Sequence, residues 1–141
     1  VLQAPVAATG ESAAWHVRQP QPGGGWARLG LYRIDSPHVL RDHVRPGDLL
    51  PADRGAGARV LIAFGPDAGA DDPALYQRIR DQGFCALVGD RSPELAGISA
   101  PAFHADGSLA GAVTLTMPSH RYDPAAIPAV REAAAKLSGR V

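Results

Sequence analysis

The stretch from residue 95 to 117 constrains the fold more than any other part of the chain. It reads LAGISAPAFHADGSLAGAVTLTM, in which two runs of small, β-branched and apolar residues flank Asp106 and Gly107. An Asp-Gly pair between alternating runs is a strong signal for a β-hairpin, because a type I′ turn needs positive φ at both central residues. The stretch therefore predicts two antiparallel strands joined by a turn centred on Asp106 and Gly107.

Side chains alternate between the two faces of a strand, so this hairpin has two distinct faces. The apolar face is predicted to be core and carries Ile98, Ala100, Val113, Leu115 and Met117. The other face carries short hydroxyls and bare backbone, at Leu95, Gly97, Ser99, Thr114 and Thr116. The predicted turn places Ser99 opposite Thr114 and Gly97 opposite Thr116. Glycine inside a strand often marks the close approach of a ligand, so the second face suits the floor of a small-molecule pocket. The alternative is that this face is simply the solvated side of the sheet.

The remaining elements predict an α+β domain. Alternating residues predict strands over 11–18 and 26–34, joined by a Pro- and Gly-rich connection, and a short apolar strand over 84–88. Residues 1–8 resemble the end of a helix. Further helices are predicted from Asp53 to Gly65-Pro66, from Asp72 to Gly83, and from Pro128 towards the C-terminus. The most economical arrangement of this order is one antiparallel sheet with helices packed on it.

The start of the predicted helix at Asp53 is a second candidate binding feature. Asp53 is a good N-cap residue, and Gly55 and Gly57 follow in the first turn, where glycine lowers helix stability. A helix start offers unpaired N–H groups and partial positive charge, to which Arg54 and Arg59 add. This segment is therefore a candidate carboxylate cradle. The alternative is that the glycines allow the helix to pack closely on the sheet.

Composition excludes several classes of function. The 141 residues suit one domain, and 14 basic residues balance 14 acidic ones, which argues against a nucleic-acid-binding surface within this chain. A single cysteine argues against a disulfide framework and a cysteine-based zinc site, and it is consistent with a reducing cytoplasm. No apolar run approaches the length of a transmembrane helix and no signal peptide is recognisable, so we expect a cytoplasmic protein without membrane contact. The chain opens at Val1, which suggests part of a longer protein.

The reactive residue types give no strong sign of catalysis. Cys85 lies in an apolar strand and is expected to be buried and inert, with a pocket contact or a redox sensor as the alternatives. His38 and His43, near Asp35 and Asp42, form a weak candidate metal site. The serines lack a nucleophile-elbow context. We therefore expect no enzymatic activity, no metal and no cofactor.

The chain resembles the C-terminal effector-binding domain of IclR-type bacterial transcription regulators. The resemblance runs through ATGES (8–12), RPGDLLPADRGAGARVLIAFG (45–65), QGFCALVGDRSPELAGISAPAF (82–103), DGSLAGAVTLTMPSHR (106–121) and VREAAAKLS (130–138). It implies a GAF-like fold, with a curved antiparallel sheet and helices packed on its faces. It further implies that residues 1–141 form an effector-binding and oligomerisation domain. In the family this domain follows a winged helix-turn-helix DNA-binding domain, which is not present in this chain.

The resemblance also implies a location for the effector, between the helix that follows the Leu-Pro motif and the concave face of the sheet. It adds Ala56 and Gly57 on the helix side and Leu87 on the sheet side to the residues identified above. The expected effector-binding residues are Asp53, Arg54, Ala56, Gly57, Leu87, Leu95, Gly97, Ser99, Thr114 and Thr116. Leu87 is apolar where some members of the family have a polar or acidic residue, so we expect a ligand larger or more apolar than a two- or three-carbon acid.

The function expected from the sequence is therefore that of a ligand sensor without catalysis. The resemblance implies that it binds a small organic or aromatic acid, assembles as a homodimer or homotetramer, and reaches DNA only through the missing N-terminal domain. Two alternatives stay open. One is a small GAF-like enzyme that uses Cys85, and the other is a structural interaction domain with a vestigial pocket.

Overall fold

The chain folds into one six-stranded sheet with helices on both faces. The structure, a computed structural model, describes residues 1–37, 47–66, 69 and 71–141. The helices of this part of the chain are α1 (Gln3–Thr9), α2 (Ala56–Ala63), α3 (Pro73–Gln82) and α4 (Ile127–Leu137). The strands are β1 (Ser12–Pro20), β2 (Trp26–Ile34), β3 (Leu49–Leu50), β4 (Cys85–Val88), β5 (Leu95–Phe103) and β6 (Leu109–Pro118).

The strand order is β3-β2-β1-β6-β5-β4, and every pairing is antiparallel. The predicted α+β class is therefore confirmed, as are the helix that ends before Gly10 and the predicted order of the other elements. The two-residue strand β3 was not predicted, because two leucines carry no alternation to read. In the part of the chain that the structure describes, no helix is both long and apolar enough to span a membrane.

The central hairpin of β5 and β6 has the predicted register but a different turn. Ser99 pairs with Thr114 and Gly97 pairs with Thr116, as predicted. The Gly107 N–H donates to the carbonyl of His104, and Gly107 has φ 88°, so the turn is centred one residue earlier than predicted. A register shift between residues 102 and 103 absorbs the difference. This is the three-residue hairpin loop in which a left-handed glycine follows the turn, so the prediction of a two-residue type I′ turn was wrong.

Helices cover both faces of the sheet and create two cores. Helices α1 and α4 pack on the face that carries Ile98, Leu115 and Met117, which are at most 1% exposed. Helix α2 packs on the opposite face, and α3 packs on α2. Val60 and Leu61 of α2 are fully buried there, and each such side chain contributes about 1.5–3 kcal/mol to stability.

The two later helices begin where the sequence predicts, and α2 does not. Asp72 caps α3 by accepting a hydrogen bond from the N–H of Leu75, and Pro73 takes the first helical position. Helix α4 begins at Ile127, beside the predicted Pro128. Helix α2 begins at Ala56 with Gly55 as its N-cap residue, so the prediction that Asp53 caps it was wrong.

Candidate functional site

The hydroxyl-bearing face of the central hairpin lies beneath α2 and is not a solvated surface. Ser99 is fully buried and Thr114 is 3% exposed. Their side-chain oxygens lie 3.0 Å apart, within hydrogen-bond distance. The interpretation of this face as the solvated side of the sheet was therefore wrong. The sequence pattern could not decide this, because a Ser and Thr face is compatible with both water and a polar cavity.

A small cavity lies between the start of α2 and this face. Its volume of about 30 Å³ has room for only one or two water molecules. Six of the residues predicted from the sequence line it, namely Ala56, Leu87, Leu95, Gly97, Thr114 and Thr116. The other lining residues are His16, Arg28, Leu50, Gly55, Asp90, Arg91 and Ala96.

Four of the predicted residues do not line this cavity. Asp53 and Arg54 are exposed before the helix, and their side chains lie 4.0 Å from each other. Ser99 is hydrogen-bonded to Thr114 behind the cavity wall. Gly57 lies on the buried side of α2, where its missing side chain leaves room for neighbouring groups.

The free N–H groups predicted at the start of α2 are partly used within the protein. The Gly55 N–H donates to Oδ2 of Asp90 at 2.5 Å, so a carboxylate from the loop after β4 caps this helix. Gly55 adopts φ 92° and ψ 151°, a conformation that is almost exclusive to glycine. The sequence could not predict this cap, because its two partners are 35 residues apart.

Arg59 binds Asp90 and is therefore not a free part of a ligand cradle. Its Nε and Nη2 donate to the two carboxylate oxygens of Asp90 at 3.1 and 3.0 Å, and Nη1 donates to the hydroxyl of Tyr76 at 2.9 Å. Burial alone would raise the pKa of Asp90, but the hydrogen bonds from Arg59 and Gly55 outweigh it and lower that pKa. The hydrogen bond to Asp90 raises the pKa of Arg59, so this pair stays ionised at neutral pH. The network fixes the loop after β4 against the start of α2.

His16 and Arg28 are the main residues of the cavity that the sequence analysis missed. His16 on β1 is 4% exposed and Arg28 on β2 is 3% exposed. Arginine in a strand usually keeps its charged end in water, so the alternation of β2 gave no signal of a buried guanidinium. The alternation of β1 did place His16 on a polar face, but only the pairing of β1 with β6 brings that face beside Thr114.

His16 is held in its neutral form by its surroundings. Burial, followed by the positive charge of nearby arginines with Arg28 foremost, lowers the pKa of His16 from 6.5 to about 3. Its Nδ1 lies 3.3 Å from the hydroxyl oxygen of Thr114, which in turn contacts Ser99. Three polar side chains thus form a buried chain that orients the imidazole ring at the cavity wall.

Two glycines allow the guanidinium of Arg28 to lie against the start of α2. A Cβ atom built on Gly57 would lie 2.5 Å from Nη1 of Arg28 and 2.8 Å from Oγ1 of Thr114. A Cβ atom built on Gly55 would lie 3.2 Å from Nη2 of Arg28. The space left by the two missing side chains is therefore bordered by the protein's own side chains.

Cys85 has the environment of a structural cysteine. It is 2% exposed within the core beneath α2, and burial raises the pKa of its thiol to about 12. A nucleophilic or redox-active cysteine needs a thiolate near neutral pH. The side chain therefore lacks the acidity that an enzyme based on Cys85 would require.

The weak metal site suggested by His38, His43 and Asp42 lies outside the described residues. Asp35 is described and binds Nε of Arg33 at 2.6 Å. Within residues 1–37, 47–66, 69 and 71–141, no group of three or more metal-binding side chains converges.

Solved structures provide the strongest comparison with known proteins. The C-terminal domain of a protein described as a transcriptional regulator from Vibrio cholerae matches with a TM-score of 0.80 and 27% identity, over 94% of this chain and 89% of that domain. A regulator of the IclR family from Rhodococcus sp. matches with a TM-score of 0.80 and 23% identity, over 99% of this chain. An IclR transcriptional regulator from Silicibacter sp. TM1040 matches with a TM-score of 0.81 and 20% identity, again over 99% of this chain.

These matches show that the chain has the fold of the C-terminal domains of IclR-family transcription regulators. The chain spans 60% and 63% of the length of the Rhodococcus and Silicibacter proteins. No protein-family model matches the chain, and no curated protein sequence matches it significantly.

Proposed function

We propose that this chain, which has the fold of IclR-family C-terminal domains, is the ligand-sensing and oligomerisation domain of a transcription regulator. It binds a small organic or aromatic acid in the cavity between α2 and the sheet. It relays binding to a DNA-binding domain elsewhere in the protein and has no catalytic activity. The observation that carries this proposal is a partly enclosed cavity, lined by both polar and apolar residues, in a fold that solved regulators share.

The chemistry of the cavity wall supports an acid as the ligand. Arg28 and Arg91 supply positive charge, and Thr114 and Thr116 supply hydroxyl groups. Leu87 is among the apolar residues that complete the wall, which suits the hydrocarbon part of such a ligand.

A ligand requires the cavity to open, because drug-sized ligands occupy about 300–1,000 Å³. The cavity of about 30 Å³ is smaller than this range, so a ligand binds and stabilises only a form of the domain in which the cavity is open. This preference for the open form is the physical basis of a conformational response. Opening moves the start of α2 relative to the sheet. In an oligomer, such a movement changes how the subunits and their DNA-binding domains are placed.

The test is thermal unfolding of this domain in the presence of small carboxylates and aromatic acids. A ligand at 100 times its dissociation constant stabilises a protein by about 2.7 kcal/mol. For a domain of this length, we expect the midpoint to rise by roughly 5–10 °C. Sedimentation velocity with and without the stabilising acid then measures whether binding changes the assembly. A rise in midpoint without any change in assembly would contradict the proposed relay.

The small volume of the cavity favours one alternative, a domain that only assembles and has a vestigial pocket. That alternative predicts no stabilisation by any acid together with a stable oligomer. Thermal unfolding in the presence of the acids therefore distinguishes the two functions.

A further inference from the structure

We propose that Asp90 acts as a latch that keeps the cavity closed, so that the start of α2 lifts from the sheet only when the hydrogen bonds of Asp90 to Gly55 and Arg59 break. The latch consists of Asp90 and these two partners. This inference rests on the proposed function, because it concerns how the same cavity opens to a ligand.

The latch ties α2 to a fixed part of the sheet. Asp90 lies in the loop between β4 and β5, and backbone hydrogen bonds hold that loop in place. The Gly89 N–H donates to the carbonyl of Leu95 at 2.8 Å, and the Ser119 N–H donates to the carbonyl of Glu94 at 2.7 Å. The loop therefore stays with the sheet, and a movement of the start of α2 must break the hydrogen bonds of Asp90.

Hydrophobic packing holds the start of α2 only weakly. The helix begins with the small residues Ala-Gly-Ala at 56–58, which have little apolar surface to bury. Ala56 meets the sheet at Gly97, where a Cβ atom would lie 3.1 Å from the Cβ atom of Ala56, and the cavity lies beside this contact. Val60 and Leu61, about one turn later, are fully buried. The start of α2 can therefore lift while the rest of the helix stays packed.

Charge gives the latch its strength. The side chains of Arg59 and Asp90 are 21% and 22% exposed, so water screens them only in part. Hydrogen bonds between ionised groups are about twice as strong as neutral ones. Gly55 has no side chain with which to cap α2, and the carboxylate of Asp90 takes that role. The start of α2 is thus held mainly by a polar contact outside the hydrophobic core.

Cys85 can report the opening of α2 without any ligand. Its side chain is 2% exposed and lies in the buried cluster beneath α2 that includes Ala56 and Tyr76. A thiol reagent reaches this side chain only when its cover moves, and N-ethylmaleimide is suitable because it is neutral. Hydrogen exchange at the Arg59 N–H, which donates to the carbonyl of Gly55 at 3.0 Å, follows the opening of the first helical turn.

The experiment measures labelling of Cys85 and exchange at the start of α2, without urea and at low urea concentrations. Asp90→Asn and Arg59→Gln each replace charged hydrogen bonds of the latch by neutral ones, and the double variant does so without a change in net charge. Asp123→Asn is the matched control, because Asp123 accepts a hydrogen bond from the Ala125 N–H at 2.9 Å beside α4, on the opposite face of the sheet. Circular dichroism checks that each variant is folded.

We expect each latch variant to accelerate labelling and exchange at least about tenfold, since hydrogen bonds to a charged group are lost. Both rates should depend little on low concentrations of urea, because a local opening exposes little surface. Global unfolding exposes far more surface, so it would make the rates rise steeply with urea. Asp123→Asn should react at the wild-type rate in the absence of urea.

Calorimetry with acetate, pyruvate and benzoate tests whether a ligand opens the same latch. The double variant Asp90→Asn with Arg59→Gln is used here, because it preserves the net charge that an acid meets. A ligand that must break the latch loses part of its binding free energy to that opening. An acid that binds the wild type should therefore bind the double variant more tightly, by up to the factor by which labelling accelerates.

Unchanged labelling and exchange in the latch variants would overturn the inference, as would rates that rise only together with global unfolding. If Asp90→Asn does not fold, Arg59→Gln decides in the same way. An acid that binds the wild type and the double variant equally would show that ligands do not open the latch, and would overturn the inference while the sensor function stands. If none of the three acids binds, the proposed function fails, and the labelling and exchange rates still decide whether Asp90 holds α2 closed.

Discussion

A buried neutral histidine should make this domain sensitive to mild acid. The pKa of His16 is about 3 in the folded protein, against 6.5 for an ordinary histidine. Below pH 6.5 the unfolded chain binds a proton at this position and the folded chain does not. Protons therefore favour the unfolded state, and stability is lost progressively as the pH falls from about 6.5 towards 3.

The size of this loss follows from the two pKa values. At pH 8 the histidine is neutral in both states and has no effect on the pH dependence. The free energy of unfolding should be lower by ~0.8 kcal/mol at pH 6 and by ~2 kcal/mol at pH 5. A loss of ~2 kcal/mol is large beside a typical total stability of about 5–15 kcal/mol.

Urea unfolding at pH 8, 6 and 5 measures this loss directly. In His16→Gln, which cannot titrate, the decline between pH 8 and pH 5 should be smaller by ~2 kcal/mol than in the wild type. His120→Gln is the matched control, because it makes the same replacement at an exposed histidine. Equal declines in the wild type and His16→Gln would show that His16 titrates alike in the folded and unfolded states, and would refute the description of His16 as a neutral residue of the cavity wall.

Three further predictions test the surroundings of the cavity. Gly55→Ala should lower the free energy of unfolding by about 1–3 kcal/mol in urea, because φ 92° and ψ 151° strain any residue with a side chain; an unchanged midpoint would contradict this. Asp90→Asn should cost about 1.5–3 kcal/mol at pH 7, because hydrogen bonds to a charged group are lost. The difference from wild type should shrink as the pH falls below about 4, since the lowered pKa of Asp90 stabilises the fold only while this carboxylate is ionised. Cys85 should react with a thiol reagent at pH 7.5 far more slowly in the folded than in the unfolded protein, and rapid labelling of the folded protein would reopen the enzyme alternative.

The hairpin shows how far local pattern could predict this site. Alternation around Asp106 and Gly107 gave the pairing of Ser99 with Thr114, because one register alone keeps Ile98 and its neighbours on the apolar face. The same pattern could not distinguish a turn centred on Asp106 and Gly107 from the observed loop. The observed loop is centred one residue earlier, and the register shift between residues 102 and 103 restores the predicted pairing.

The start of α2 shows where local pattern failed. Asp53 has the residue type of an N-cap, but Gly55 takes that position because Asp90 approaches its N–H from another loop. Arg54 and Arg59 look equivalent in the sequence. In the fold, Arg54 is exposed, whereas Arg59 is held by Asp90 and Tyr76.

The sequence by itself determined the helices and the longer strands of this protein, their order, the α+β class and the polar face of the central hairpin. These features follow from hydrophobic periodicity and turn residues, which act over a few neighbouring positions. Only the tertiary structure decided that α2 covers that face, and that His16 and Arg28 line the cavity beneath it together with Thr114. The charge and polarity of the cavity arise from side chains about 100 residues apart in sequence, as in the contact of His16 with Thr114, and local pattern carries no information about such contacts.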